Sequence, residues 1–162
     1  YEIMPSLVGS EMCIRDSREE MQEFILDKLQ LLIERKLIKG IGENGTEYTV
    51  IAQILDLPKE ILRLIQKFDF TKKNPKLIYI NTGETMISLQ DSILVTFLNL
   101  AGFDILFFVP TGYQSVENYF AEKLMEEHQI GEYKYDMQVP DLNNISTNST
   151  RPSWRRKLFR RG

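Results

Sequence analysis

Two short apolar runs, KLIYI at 76–80 and DILFFV at 104–109, each end in a hydroxyl-glycine turn. This pairing constrains the fold more than any other feature of the chain. Each run is too short for a helix and rich in β-prone residues, and both are set off by turn formers, with KKNP and NTG around the first and PTG after the second. Between them Ser88 and Asp91 make an S-x-x-D variant of the capping box, which predicts a helix over 89–101 stopped by Gly102. A strand, a helix and a second strand within about 30 residues predict a right-handed βαβ unit with parallel strands. The expected fold class is therefore α/β, with a helical N-terminal part followed by a βαβ unit of a small parallel, Rossmann-like sheet.

The helical part is legible as periodicity. Residues 18–39 place Met21, Phe24, Ile25, Leu29, Leu32 and Ile33 at helical spacing, with acids early and bases late as the helix dipole favours. GIGENGTE then breaks the pattern with three glycines, a second helix is expected near 48–55, and Pro58 suits the first turn of a third carrying Ile61, Leu64, Ile65 and Phe68. After the second strand, Ser115 as cap and Val116, Tyr119, Phe120 and Leu124 as a stripe predict a further helix, and EYKYDMQVP an edge strand. DLNNISTNST reads as a polar linker, in which the sequons at Asn144 and Asn148 are chance matches in the absence of a secretory signal. The expected organisation is a non-native or disordered leader at 1–17, a helical segment at 18–70, an α/β domain at 71–140 and a disordered linker and basic tail at 141–162.

The chain starts at Tyr1, which reads as a fragment or a processed product. Residues 1–17 lack periodicity, hold the sole cysteine, Cys13, and resemble translated sequencing-adapter read-through, so they are expected to lie outside the fold. From residue 18 onward the chain has no cysteine and one histidine, His128, which argues against disulfides, Cys-rich zinc sites and a Cys/His nucleophile pair, and no cofactor is expected. The net charge of −3 conceals an asymmetry: RPSWRRKLFRRG at 151–162 holds six bases and no acid, leaving 14 bases against 23 acids, or −9, in the rest. An acidic body is a poor nucleic-acid surface, so no nucleic-acid partner is expected, and a solvated tail, or one docked on another part of the protein, is favoured over one on an anionic membrane or nucleic acid. The apolar window Ile93–Pro110 is read as a buried helix and strand, because Asp104 would cost ~2.5–3.5 kcal/mol in a bilayer. No transmembrane segment is expected.

In an open parallel sheet, ligands bind outside the carboxyl ends of the strands, where helix N-termini offer free N–H groups to an anion. The candidate ligand-binding residues are accordingly Asn81, Thr82, Gly83, Glu84, Thr85 and Ser88 after the first strand, and Thr111, Gly112, Tyr113 and Ser115 after the second. Neither loop matches a phosphate-binding fingerprint or carries a lysine, and tight turns and caps need Gly and Ser whether or not anything binds. No catalytic residue and no metal site is assigned. His128, beside Glu126 and Glu127, reads as a surface histidine.

The phrases FDFT (68–71), NPKLIYINTGETMIS (74–88) and FFVPTGY (107–113) resemble the C-terminal region of the YceG-like family of bacterial proteins. That resemblance implies a cytoplasmic component of a biosynthetic module encoded beside tellurium-resistance and stress genes, and it brings no catalytic residue with it. Two functions stand as expectations: an α/β domain binding a small anionic or nucleotide-like metabolite at its Thr-Gly loops, or a non-catalytic module docking on other proteins of the same operon. The second needs an exposed apolar face, expected on the helix at 18–39.

Overall fold

The computed structural model describes residues 19–67, 74–83, 86–113 and 116–138. They form α1 (Glu19–Glu34), α2 (Thr46–Leu55), α3 (Lys59–Lys67), β1 (Lys76–Ile80), α4 (Leu89–Leu100) and β2 (Asp104–Phe108). This is a mixed α/β chain with a two-stranded parallel sheet. Leu77, Tyr79, Ile105 and Phe107 turn one face of the sheet toward the helices, and the alternate residues turn outward.

Helix α4 sits at the centre, packed against α1, α2 and β2. Its buried residues include Ile93, Val95, Phe97 and Leu98, more than one stripe can supply, as suits a helix with neighbours on several sides. Two buried hydroxyls on it are satisfied locally, Ser92 donating to the Ser88 carbonyl at 2.8 Å and Thr96 to the Ser92 carbonyl at 2.8 Å. Both ends follow the sequence. Ser88 Oγ accepts from the Asp91 amide at 3.0 Å and donates to its carboxylate at 2.6 Å. At the other end Gly102, with φ 99°, lets its own N–H reach the Asn99 carbonyl and the Phe103 N–H the Leu98 carbonyl, the paired bonds of a Schellman motif.

Helix α1 buries Ile25, Leu29 and Leu32 and ends at Glu34, five residues before the expected 39. The reason is tertiary. Lys36 takes a left-handed φ of 49°, and Leu37 and Ile38 turn into the core as Ile38 forms an antiparallel bridge with Phe120. Lys39 N–H to Tyr119 O at 2.8 Å and Ala121 N–H to Leu37 O at 2.9 Å frame that bridge. The same bridge replaces the helix expected after β2: Val116 and Phe120 are buried as foreseen, but on an irregular segment, while Leu124 is 39% exposed. Nor do residues 132–138 form the expected edge strand. They run as an exposed strap held by Lys134 N–H to Pro110 O at 2.8 Å.

One hydrophobic cluster gathers residues of all four helices with Phe103, Val116 and Phe120, and Leu77, Ile105 and Phe107 pack against it. No helix among the described residues is long and apolar enough to cross a membrane.

Candidate functional site

The parallel register runs from Lys76↔Asp104 to Ile80↔Phe108, and the Asn81 N–H extends it by donating to Phe108 O at 2.9 Å. The turns beginning at Asn81 and at Val109 therefore leave the sheet side by side. The N-terminus of α4 is tied to the first of them by only a few residues.

Three of the amides that an anion could use there are already engaged. The Gly83 N–H donates to Asn81 Oδ1 at 3.2 Å in an Asx turn, the Gly112 N–H to Val109 O at 3.0 Å, and the Asp91 N–H to the Ser88 cap. Thr82 is half-buried and Tyr113 exposed. Glu84, Thr85 and Ser115 lie outside the described residues. Thr111 is the exception among the candidates, being 6% exposed with an Oγ1 that has no hydrogen-bond partner among the described residues.

Beside these turns lies a shallow cleft of about 230 Å³ lined by Tyr79, Asn81, Met86, Asp91, Phe107 and Val116 among others. Tyr79 and Phe107 stack across the strands with centroids 5.0 Å apart. Burial, and secondarily the Asp91 carboxylate, push the Tyr79 phenol above its ordinary pKa, so it stays protonated. The charge facing the cleft is thus negative. A neutral or cationic hydrogen-bond donor suits it better than an anion does. Tyr79 and Phe107 were hidden in the sequence as strand core, and Asp91 as a cap. Among the described residues no group of acids, His or Cys could hold a metal, and His128 makes only an exposed contact with Glu126 at 3.6 Å.

The second feature is the outer face of the sheet. Ile78, Ile80, Leu106 and Phe108 are 56%, 43%, 49% and 48% exposed, and the register sets them as two adjacent pairs, Ile78↔Leu106 and Ile80↔Phe108. Parallel sheets are ordinarily covered on both faces, so four exposed large apolar residues in one block are an unusual surface for a strand pair. Helix α1, where such a face was expected, exposes only Leu26 among its large apolar residues. Its stripe is used up in the core.

These features define an α/β chain with a small parallel sheet, a polar strand-end edge and an uncovered apolar sheet face. The chain belongs to the YceG domain family, which matches residues 6–150 and so reaches into the segment read from sequence as a leader. The uncharacterized protein YceG of Bacillus subtilis (strain 168) is 31% identical over 93 residues, 56% of this chain. Those residues span only 17% of the length of that relative. No solved structure matches the chain.

Proposed function

We propose that this chain is a non-catalytic docking domain of a YceG-family protein: a Rossmann-like βαβ unit on a helical base that joins other proteins of a cytoplasmic, stress-linked biosynthetic module encoded beside tellurium-resistance genes. The observation that carries this reading is the outer sheet face with Ile78, Ile80, Leu106 and Phe108 exposed together. Apolar area of this kind is stabilising only when covered, at about 25 cal/mol per Å² removed from water. The test is co-purification of the tagged chain with the products of the neighbouring genes, comparing wild type with an Ile78→Asp/Leu106→Asp variant of unchanged circular dichroism. Recovery should be lost in the variant. Equal recovery by both sinks the reading.

A second reading is favoured by Thr111, whose hydroxyl is buried without a partner among the described residues at the edge where α/β sheets bind ligands. In it the Thr-Gly turns hold a small metabolite, anionic or nucleotide-like, with Asn81, Thr82, Gly83 and Thr111 nearest to it. Asp91 and the engaged amides weigh against an anion, which is why this reading stands second.

A further inference from the structure

We propose that the basic segment 151–162, through Trp154, Leu158 and Phe159, covers Ile78, Ile80, Leu106 and Phe108 in the free protein, and that a docking partner displaces it. The inference rests on the reading of this face as a docking surface and assigns what lies on it before a partner arrives.

Three observations support that occupant. The first is where the described chain ends. The bond from Lys134 N–H to Pro110 O pins the strap to the carboxyl end of β2, two residues beyond Phe108, and the Tyr133 ring lies against Gly112. The chain thus leaves the described region at Gln138, four residues past a bond to the patch's own edge. The second is reach. Fifteen residues separate Gln138 from Trp154; a chain of that length can span at most roughly 50 Å. A five-residue strand is about 17 Å long. A tether matched to its span gives an effective concentration near the millimolar range, enough for a weak apolar contact to be occupied. The third is charge and composition. The segment carries six bases and no acid against −9 in residues 1–150, and Glu132 and Asp136 are exposed on the strap. Its three large apolar residues match a patch of four.

Trp154 is the chain's only tryptophan, so its fluorescence reports the contact directly. In the full 162-residue chain its emission should be blue-shifted and its acrylamide quenching several-fold weaker than in urea. Ile78→Ser/Leu106→Ser, at exposed positions, should return both to the unfolded values while circular dichroism stays native. As a second measurement that leaves the fold untouched, deleting residues 151–162 should raise binding of a hydrophobic dye, and the serine pair should abolish that rise. A tryptophan as quenchable as in urea overturns the proposal, as does protection that survives the serine pair, protection lost on dilution together with a dimer mass, or dye binding unchanged by the deletion. None of these outcomes touches co-purification with neighbouring gene products, so a failed cover and a failed docking surface are told apart.

Discussion

Gly112 is the position where one added methyl group has the most to disturb. Its φ is +70°, a conformation that costs an L residue ~1–2 kcal/mol. A Cβ built there would also run into the Tyr133 ring. In Gly112→Ala the ring must swing away, and with it goes the hold on the strap, whose Lys134 to Pro110 hydrogen bond is worth ~1 kcal/mol. The total is ~2–3 kcal/mol, or a fall in melting temperature of roughly 5–10 °C for a domain of this size. Tyr133→Ala alone removes a ring that is 55% exposed and should cost under ~1 kcal/mol. The double variant keeps the backbone cost and loses the clash, so urea melts of the four proteins should show a coupling of about 1 kcal/mol, the pair being less harmful than the sum of its parts. Additive costs would mean that the ring does not lie on Gly112 in solution. A harmless Gly112→Ala would mean that the turn is not left-handed, and either result removes the anchor on which the proposed reach of the basic segment rests.

Four further outcomes are expected. Ser88→Ala should lose ~1 kcal/mol in urea melts, whereas Ser88→Asn retains most of the cap on the Asp91 amide; equal losses would mean that the side-chain bond is not formed. Hydrogen bonds from Lys76 and then Asn74 hold the Asp104 carboxyl below its ordinary pKa, so it contributes stability above the unfolded carboxylate value that is lost as pH falls through the lower folded one. Asp104→Asn should therefore flatten the acid limb of a stability profile, more so at low salt. The Tyr79 phenol is held above its ordinary value, so its contribution is intact below pH 10 and declines as pH rises through the folded pKa; Tyr79→Phe should flatten the alkaline limb and leave neutral pH unchanged. Thr111→Val replaces a buried hydroxyl that has no partner among the described residues with a methyl of similar shape and should stabilise the free chain by ~1 kcal/mol in thermal melts, while destabilisation would show that the hydroxyl has a partner in solution.

What the sequence disclosed and what it hid divide along one line. Signals that act within a few residues were legible: the strands at 76–80 and 104–108, the Ser88 cap, the Gly102 stop and the Pro58 start each came out where the local chemistry put them. The helix expected after Ser115 had equally good local spacing, since Val116 and Phe120 are four apart and both are buried. It gave way to a contact 82 positions distant, between Ile38 and Phe120, which no window of helical length can contain. Along the edge the sequence brought Asn81 and Thr111 to neighbouring turns. It had no means of showing that Gly83 and Gly112 would spend their amides on Asn81 and Val109. The outer sheet face was concealed for a related reason: a continuous apolar strand predicts cover on both sides, and LIYI reads the same whether that cover comes from the described helices or from elsewhere. Among the described residues the helices cover one side only. Ile78 and Leu106, at the middle of the two strands, are thus left exposed, and the apolar residues on α1 that spacing alone left free are already committed to the core.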